Sequence, residues 1–299
     1  MKTRFILNPV SGRNVRRPWL ARHVRDFIAT RGLTADLVLT ECPGHATRLA
    51  QAALAAGCDR VIAIGGDGTM NETAQALLHS PAALGLVPCG SGNGLALHLG
   101  IPTRLPEALA LAADPAARVA AIDTGTVNGR PFFNAMGFGF DAEVSRRFNL
   151  LTRRGLPAYV KTTCAALFGY RPETYHIRNG TAELTTPAFI VTVANSDQYG
   201  NDCFIAPGAR VDDGRLDLTV IKRANAFNTL PLVARLFSKR IDGSPSVARL
   251  QGAHFTIERA APGLIHTDGE THETGALVDI VVRPRSLRIM VPAQVPPPA

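Results

Sequence analysis

Residues 60–72 read RVIAIGGDGTMNE, and this stretch decides the fold of the first part of the chain. The short apolar run at 60–64 contains several β-branched residues, which is typical of a buried strand. This strand runs into a tight turn with three glycines, which permit a left-handed backbone and the close approach of a ligand: Gly65, Gly66 and Gly68. Such a strand-to-helix connection is common in α/β proteins, whether or not they bind phosphate.

The same turn carries a carboxylate and the start of a helix. Asp67 stands among the glycines without a cationic neighbour, and Thr69 is expected to cap a helix that continues to His79. The first N–H groups of this helix would point at whatever fills the turn. Backbone donors beside one carboxylate suit a polyphosphate that carries Mg²⁺.

Two other segments repeat this arrangement. A strand-like run at 4–7 opens into residues 8–12, and another at 84–87 opens into residues 88–93. In an open parallel sheet such turns gather at the carboxyl ends of the strands, where ligands bind. The turns and the helix contain neutral hydrogen-bonding side chains that suit phosphate or ribose: Asn8, Ser11, Asn71, Ser91 and Asn93. We therefore predict a phosphate-binding site formed by three turns.

The hydrophobic pattern predicts two domains with a boundary near residue 123. The first, 1–123, alternates strands with helices and should form a mostly parallel α/β sheet, with strands at 4–7, 34–40, 60–64 and 84–88 and helices at 18–30, 45–56, 69–79, 93–99 and 104–113. The second, 124–299, is expected to be a mainly antiparallel β-sandwich, because it is rich in turns and has Asn-Gly hairpin signals at 128–129 and 179–180. Helices are predicted near 141–148, 156–169 and 226–237, and the tail 293–299 should be frayed.

Composition excludes several classes of protein. Hydrophobic residues make up 46% of the 299, and 32 basic residues against 24 acidic ones give a formal charge of +8. No apolar run approaches the roughly 20 residues that span a bilayer, and the N-terminus reaches Asn8-Pro9 too early for a signal peptide. The five scattered cysteines argue against zinc and disulfides. We expect a soluble, cytoplasmic protein that attracts polyanions, and no nucleic-acid-binding signature accompanies the charge.

Basic residues concentrate between positions 146 and 154. Four arginines there surround three apolar residues: Arg146, Arg147, Arg153 and Arg154 with Phe148, Leu150 and Leu151. An anionic membrane surface accepts both kinds of side chain, so this segment predicts peripheral membrane association. The alternative is a solvated loop whose apolar residues pack inward. Three further arginines beside the first turn are suited to phosphates: Arg13, Arg16 and Arg17.

Four motifs, in their order and spacing, resemble the diacylglycerol kinase catalytic family, which includes bacterial lipid kinases and sphingosine kinases. They are Asn-Pro-Val-Ser-Gly at 8–12, Gly-Gly-Asp-Gly-Thr-Met-Asn-Glu at 65–72, Pro-Cys-Gly-Ser-Gly-Asn at 88–93 and Asp-Gly-Glu at 268–270. The resemblance spans essentially the whole chain. It implies an ATP site between an α/β domain and a β-rich domain, and an ATP- and Mg²⁺-dependent kinase that phosphorylates a hydroxyl of a membrane-derived lipid. A homodimer is left open.

The resemblance and the turn chemistry together assign the donor site. Thr40 belongs to a segment, 40–46, that is similar to one in which the family's threonine contacts nucleotide, whereas His45 is expected to be structural. Asp67 is the candidate for organising the catalytic Mg²⁺, because phosphoryl transfer needs a held metal ion and neutralised phosphate oxygens. The expected ATP-binding residues are Asn8, Ser11, Gly12, Thr40, Gly65, Gly66, Asp67, Gly68, Thr69, Asn71, Gly90, Ser91, Gly92 and Asn93.

The general base is expected at the Asp-Gly-Glu motif. Seen alone, residues 268–270 would be a surface turn, but the resemblance makes Glu270 the candidate for accepting the proton of the acceptor hydroxyl. Asp67 is the second candidate for this role, because some family members assign it to the aspartate of the glycine turn.

Two other segments have counterparts in the family. Residues 134–141 resemble the entry to the lipid-acceptor pocket, with Asp141 touching the polar head and Phe138 and Phe140 lining an apolar wall. Asp141 is also a plausible N-cap for the helix that follows it. Residues 206–215 resemble a structural-Mg²⁺ loop, which would use the carboxylate of Asp213 and the main-chain carbonyls of two arginines, Arg210 and Arg215.

One departure from the family pattern bears on the substrate. Gly94 follows Asn93 where bacterial diacylglycerol kinases usually carry an aspartate, and a small residue here resembles sphingosine kinases instead. The alternatives to a lipid kinase are NAD kinase, which shares the Gly-Gly-Asp-Gly turn, and a catalytically silent regulator that binds nucleotide or lipid. A dinucleotide-dependent oxidoreductase is disfavoured because the chain forms no G-x-G-x-x-G motif at these turns.

Overall fold

The computed structural model describes residues 1–150, 170–222 and 229–293, and the chain divides into two compact units. The first unit contains Met1–Ile122 and the C-terminal residues from Arg285 onward, and the second is Asp123–Pro284. The sequence analysis assigned everything after residue 123 to the second domain, so the return of the chain to the first unit is a difference from that prediction. Three predictions fall outside the described residues: the helix at 156–169, the basic residues Arg153 and Arg154, and the frayed tail beyond 293.

The first unit is built on a parallel sheet in the order β2-β1-β3-β4, followed by the end of the last strand of the chain, where Ile289 pairs with Leu84. This confirms the predicted α/β class. The bounds are β1 Thr3–Leu7, β2 Ala35–Leu39, β3 Arg60–Gly65 and β4 Ala83–Pro88, with α1 Leu20–Thr30, α2 His45–Ala55, α3 Asp67–Leu77, α4 Gly94–His98 and α5 Leu105–Ala113.

The core of this sheet explains why the apolar runs become strands. Every residue of β3 and β4 is buried, as expected for parallel strands covered by helices on both faces. On one face the strands pack against two helices, through a cluster that includes Phe5, Leu7, Ile62, Ile64, Val87, Leu20, Val24, Ala108 and Leu109. This packing fixes the carboxyl ends of β1, β3 and β4, from which the three glycine turns emerge.

The second unit is a sandwich of two mainly antiparallel sheets, which confirms the predicted class. One sheet contains β9, β8, β13 and the first part of β16 with β5 and β6, and the other has the order β12-β11-β10-β7-β14-β15. The bounds are β5 Arg118–Val127, β6 Arg130–Phe132, β7 Ala135–Gly139, β8 Glu173–Arg178, β9 Glu183–Ala188, β10 Ile190–Ala194, β11 Leu216–Ile221, β12 Val247–Gly252, β13 His254–Arg259, β14 Gly263–Thr267, β15 Glu270–Thr274 and β16 Leu277–Val291, with α6 Phe140–Asn149 and α7 Thr229–Phe237. The predicted hairpins at 128–129 and 179–180 join β5 to β6 and β8 to β9.

Alternation along β7 separates its two faces. Met136 and Phe138 point into the sandwich core, where both are fully buried. Gly137 therefore faces the other side of the sheet, together with its register partners Thr192 and His266 on the neighbouring strands. In the described part of the chain, no helix combines the length and apolar character that a membrane span requires.

Candidate active site

The turn after β3 uses its glycines differently from the prediction. None of Gly65, Gly66 and Gly68 adopts a left-handed backbone. A Cβ atom on Gly65 would lie 2.4 Å from the Thr69 hydroxyl, and one on Gly66 would lie 3.0 Å from the Cα atom of Gly90. A Cβ on Gly68, in contrast, would have no atom of the described residues within 4 Å. Two of these glycines allow dense packing, and the third borders open space in the first turn of α3.

Thr69 does not cap the helix, which corrects a second prediction. Helix α3 begins at Asp67 with Gly66 as its N-cap, so Thr69 already lies in the first turn. Its hydroxyl accepts a hydrogen bond of 3.1 Å from the side-chain amide of Asn8. The Ser11 hydroxyl in turn accepts the N–H of Gly66 at 2.8 Å. The residues expected to bind phosphate thus tie the turn after β1 to the turn after β3.

The turn after β4 lies against the other two. Asn93 has a left-handed backbone, and its side chain closes the turn through two hydrogen bonds of 3.0 Å to the main chain of Gly90. Gly12 also has positive φ, and a Cβ there would lie 2.3 Å from the carbonyl oxygen of Cys89. Ser91 at the tip of the turn is exposed. All three predicted turns therefore lie side by side at the carboxyl edge of the sheet.

Asp67 links two of these turns directly. Its Oδ2 atom accepts the N–H of Asn93 at 2.9 Å, and its Oδ1 atom accepts the N–H of Gly94 at 3.1 Å. Burial raises the pKa of the Asp67 carboxyl, and these backbone hydrogen bonds lower it. Gly94, where an acidic residue was expected, contributes its backbone N–H instead. A carboxylate has about four acceptor sites, and the backbone N–H groups of Asn93, Gly94 and Asp67 itself use three of them, so one site is left.

This donor set fits a Mg²⁺ ion that arrives with a nucleotide. Mg²⁺ is commonly held by one or two carboxylates together with substrate phosphates and water, and Asp67 supplies one carboxylate with an acceptor site to spare. Among the residues that the structure describes, no group of three or more His, Cys, Asp or Glu side chains could hold a metal ion. The remaining ligands would therefore be oxygens of the phosphates and of water.

Two further predicted nucleotide contacts are buried. Thr40 directly follows β2, and its N–H donates to the carbonyl of Leu7 at 3.0 Å. Asn71 lies on α3, one turn after Asp67, and its buried Oδ1 atom has no hydrogen-bond partner within residues 1–150, 170–222 and 229–293. A buried carbonyl oxygen without a donor is costly, so Asn71 marks a place where a polar partner would stabilise the site.

Glu72, the last residue of the glycine motif, has a role that the sequence did not reveal. Its two oxygens accept the N–H groups of Gly44 at 2.8 Å and Ala46 at 3.0 Å, at the N-terminus of α2. The N-cap of that helix is Gly44, which has no side chain, so Glu72 caps α2 from the neighbouring helix. The sequence shows that the N-cap position of α2 is a glycine without a capping side chain. The residue that supplies the cap, Glu72, lies 28 residues after Gly44.

We predict that Glu72→Ala lowers the free energy of unfolding by about 1.5–3 kcal/mol, because hydrogen bonds to a charged acceptor are lost and two N–H groups lose their partner. Chemical denaturation monitored by circular dichroism would measure this. Glu41→Ala, which removes an exposed carboxylate nearby, is the matched control and should change stability by less than about 0.5 kcal/mol. Equal effects of the two substitutions would refute the capping role.

The Asp268-Gly269-Glu270 turn is rigid because Asp268 anchors it. The Asp268 carboxylate accepts the N–H groups of Phe133, Asn134 and Ala135 at 2.9, 2.8 and 3.0 Å. Burial raises the pKa of Asp268 to about 6, against the lowering effect of these hydrogen bonds. Glu270 begins β15, and its side chain is exposed. The structure thus gives Asp268 a structural role and presents the Glu270 carboxylate at the surface of the second unit.

A buried arginine supports the same hairpin. The Arg259 guanidinium donates to the carbonyl oxygens of Leu264 and Thr274 at 3.1 and 3.0 Å and lies 5.8 Å from the ring centre of Phe138. It joins β13 in one sheet to the β14–β15 hairpin in the other, so it stabilises the strands on which Glu270 lies. Nothing in the local sequence indicated this contact.

Asp141 lies in a buried polar cluster and not at a helix cap. It is the second residue of α6. Its Oδ2 atom lies 2.8 Å from Tyr199 Oη and 3.1 Å from both Thr192 Oγ1 and His266 Nε2, and the two hydroxyls also share a hydrogen bond with each other. Its Oδ1 atom is buried and has no hydrogen-bond partner among the residues that the structure describes. The contact of Asp141 with the polar head of an acceptor stays a prediction.

The two predicted aromatic wall residues do not lie together. Phe138 is fully buried in the sandwich core, with its ring centre 5.8 Å from that of Tyr175. Phe140 stacks on Phe189 at 4.3 Å and contacts Tyr170 edge-on at 5.5 Å, in a separate small cluster beside α6. Only Phe140 is thus near the start of the helix that carries Asp141, and Phe138 serves the core.

In the 206–215 loop, the carboxylate of Asp213 is already hydrogen-bonded to protein groups. Asp213 accepts the N–H of Arg215 at 3.0 Å and the side-chain amide of Gln251 at 3.4 Å, so both oxygens already have partners. Arg210 forms an ion pair of 3.1 Å with Asp212. The structural-Mg²⁺ site at this loop stays a prediction.

The basic segment is partly neutralised where it is described. Arg146 and Arg147 form ion pairs of 2.8 and 2.6 Å with Glu143, and they lower the pKa of that carboxyl to about 2. The first unit has an exposed surface of similar composition, and we call this surface the β1–α1 patch. It consists of three exposed apolar side chains interleaved with arginines: Val10, Val15 and Trp19 with Arg13, Arg16 and Arg17.

Comparison with known proteins agrees with this arrangement. The model of the diacylglycerol kinase catalytic domain matches residues 2–127, and that of the YegS C-terminal NAD kinase beta sandwich-like domain matches residues 134–291. The diacylglycerol kinase of Bacillus subtilis is 34% identical over 75% of each chain. A protein of Chromohalobacter salexigens named "Probable lipid kinase YegS-like" is 32% identical over 76% of this chain and 74% of that one.

A solved structure shares the fold. The diacylglycerol kinase from Bacillus anthracis strain Sterne superposes with a TM-score of 0.77 at 20% identity, covering 99% of this chain and 98% of that one. The family models together match nearly the whole chain, and relatives above 30% identity are named as kinases. This chain therefore belongs to the diacylglycerol kinase catalytic family of lipid kinases, and it is a phosphotransferase with an alcohol group as acceptor.

Proposed function

We propose that this protein is an ATP- and Mg²⁺-dependent kinase that transfers the γ-phosphate of ATP to a hydroxyl of a membrane-derived lipid, diacylglycerol-like or sphingoid-like. The observation that carries the proposal is the set of three interlocked turns around Asp67. Gly68 opens onto free space at the N-terminus of α3, where backbone N–H groups favour an anion. The exposed Ser91 and the neighbouring Asn8 and Ser11 supply further polar groups.

Each unit supplies a different part of the reaction. In the first unit, the turns would hold the phosphates of ATP, and Asp67 would hold Mg²⁺, which neutralises the charge that develops on them. In the second unit, Glu270 would take the proton of the acceptor hydroxyl. The hydroxyl oxygen would then bond to the γ-phosphorus as the bond to the bridging oxygen breaks and ADP leaves. Asp67 suits the metal role better than the base role, because both of its oxygens accept backbone N–H groups.

The acceptor distinguishes the three candidate functions. NAD kinase remains the rival enzyme because the β-sandwich model that matches residues 134–291 is described as NAD kinase-like. We would incubate the purified protein with radiolabelled ATP, Mg²⁺ and a total lipid extract, and identify the labelled product, with NAD as the second acceptor. Label in a lipid supports the proposal and label in NADP refutes it. Transfer to neither acceptor, with ATP binding intact, would identify a silent regulator.

We further propose that the protein works at an anionic membrane surface. Two parts of the chain support this idea, the basic segment 146–154 of the sequence and the β1–α1 patch of the structure, since each combines arginines with apolar residues.

We predict that binding to lipid vesicles requires anionic lipid and weakens as salt rises. Replacing the four arginines at 146, 147, 153 and 154 by serine should reduce activity on vesicles more than on short-chain, dispersed acceptors, at roughly 1 kcal/mol of membrane affinity per arginine near the surface. Sedimentation with vesicles and assays on both acceptor forms would measure this. Equal losses on both forms would exclude a membrane role for the segment and leave the β1–α1 patch.

A further inference from the structure

In the sheet that contains β7, one face points away from the sandwich core. On that face, both ring nitrogens of His266 have partners. His266 on β14 lies next to Gly137 on β7, with Thr192 of β10 on its other side in the same cross-strand row. A Cβ on Gly137 would lie 2.2 Å from Asp141 Oδ2 and 2.6 Å from His266 Nε2. Glycine at this position therefore makes room for the contact between the histidine and the aspartate.

The two contacts determine where the ring proton lies. The N–H of Gly269 donates to His266 Nδ1 at 3.4 Å, and a backbone N–H can only donate. Nδ1 must therefore be the unprotonated nitrogen of the neutral ring. The proton is then on Nε2, which donates to Asp141 Oδ2 at 3.1 Å. Both side chains are buried, with 5% and 8% of their surfaces exposed, so solvent competes little for these bonds.

We propose that His266 is a positioning residue for phosphoryl transfer, which connects Asp141, the carboxylate predicted to contact the acceptor, to the turn that carries Glu270. This inference rests on the proposed function. One nitrogen holds the orientation of Asp141, and the other holds Gly269, the residue directly before Glu270. Asp268 holds the start of the turn through its hydrogen bonds to residues 133–135, and His266 holds the next residue, Gly269.

The unpartnered oxygen of Asp141 explains why the orientation matters. The side chains of Thr192, Tyr199 and His266 all contact Oδ2, whereas Oδ1 has no partner in the described part of the chain and is left for the acceptor. Without the His266 donor, the carboxylate can rotate and offer Oδ1 to the remaining hydroxyls. The acceptor would then lose its partner, although the charge of Asp141 would be unchanged.

Two conservative variants separate the two contacts. Glutamine carries an amide N–H near the place of Nε2, so His266→Gln keeps the donor to Asp141 and loses the acceptor for Gly269. Asparagine carries its amide oxygen near the place of Nδ1, so His266→Asn keeps the acceptor for Gly269 and loses contact with Asp141.

The two variants should differ in their kinetics. We expect His266→Gln to lower kcat about tenfold and to keep the KM for lipid within about threefold. We expect His266→Asn to raise the KM for lipid about tenfold and to leave kcat nearly unchanged. The KM for ATP should change in neither variant.

A matched control and a direct observation complete the test. Thr219→Val removes a buried hydroxyl from the same sheet, which bonds the carbonyl of Ile205 at 2.9 Å, so it should lower the melting temperature without separating KM from kcat. The ring nitrogen resonances of His266, measured by nitrogen-15 NMR of the whole protein, should show a protonated Nε2 and an unprotonated Nδ1.

The outcomes distinguish this inference from the proposed function. If the wild type phosphorylates lipid but both variants change KM and kcat in the same proportion, or change neither, the positioning role is overturned and the kinase function stands. The reverse tautomer overturns it whatever the activity. A wild type that phosphorylates no lipid refutes the proposed function, and the role of His266 falls with it.

Discussion

Asp67→Asn is expected to abolish phosphoryl transfer, with a loss of about 10³-fold or more. A carboxylate that holds a catalytic metal ion contributes several kcal/mol to the transition state, and every 1.36 kcal/mol is worth about a factor of ten. Asparagine has nearly the same shape but no charge. Steady-state assays over a range of Mg²⁺ concentrations would measure the loss.

The same substitution also has a structural cost that the sequence did not indicate. Asp67 accepts N–H groups from Asn93 and Gly94, and an asparagine amide can accept only one of them well because its other end is itself a donor. We expect the free energy of unfolding to fall by about 1–3 kcal/mol. Activity must therefore be measured well below the melting temperature of the variant.

A control variant separates the lost charge from the loosened turn. Asn93→Gly removes the two side-chain bonds to Gly90, tolerates the left-handed backbone at this position and leaves the Asp67 carboxylate intact. It should weaken ATP binding and retain measurable transfer. Near-normal turnover of Asp67→Asn at saturating Mg²⁺ would rule out the metal role.

Glu270→Gln is expected to lower kcat by about 10²–10⁴-fold, because glutamine keeps the shape of the side chain but cannot take the proton of the acceptor. Affinity for ATP should change little, since the phosphates are proposed to lie on the turns of the first unit. Stability should also change little, because the side chain is exposed. Single-turnover assays with equilibrium ATP binding would measure both properties.

Glu273→Gln is the matched control, because this exposed glutamate lies on the same strand and its substitution removes the same charge. It should leave kcat within about twofold of the wild type. If Glu270→Gln keeps the wild-type kcat, the base role passes to Asp67. If it loses ATP binding instead, Glu270 belongs to the metal and nucleotide site.

Local sequence predicted the parts of this fold that depend on near neighbours. The apolar run at 60–64, the glycine turn after it and the helix that follows were all recognised, because a buried strand and a helix start have short signatures. The Asn-Gly hairpins were also recognised, since positive φ at Asn128 and Gly129 is a property of the turn itself. Whether a glycine is needed for its own backbone or to make room for a neighbour depends on contacts that are distant in sequence. For this reason the left-handed backbone considered for Gly65 and Gly66 was wrong.

The details of the site depend on contacts that are distant in sequence. The donors to Asp67 lie 26 and 27 residues away, and those to Asp141 lie 51, 58 and 125 residues away. The motif identified Asp141 as a polar residue of interest, but only the register of three strands brings Thr192 and His266 to it. For the same reason the sequence did not reveal the anchoring roles of Asp268 and Glu72.

The return of the last strand to the first unit has a consequence for synthesis on the ribosome. Ser286 accepts the N–H of His79, and Met290 lies 3.2 Å from the position that a Cβ on Gly85 would take, so the parallel sheet is complete only when residues near 290 are available. A nascent chain of 122 residues has β4 without its last neighbour. The second unit, in contrast, is one continuous segment. The first unit, which leaves the ribosome first, therefore completes its folding last. Until then the nascent chain has an unpaired strand edge that chaperones would have to shield.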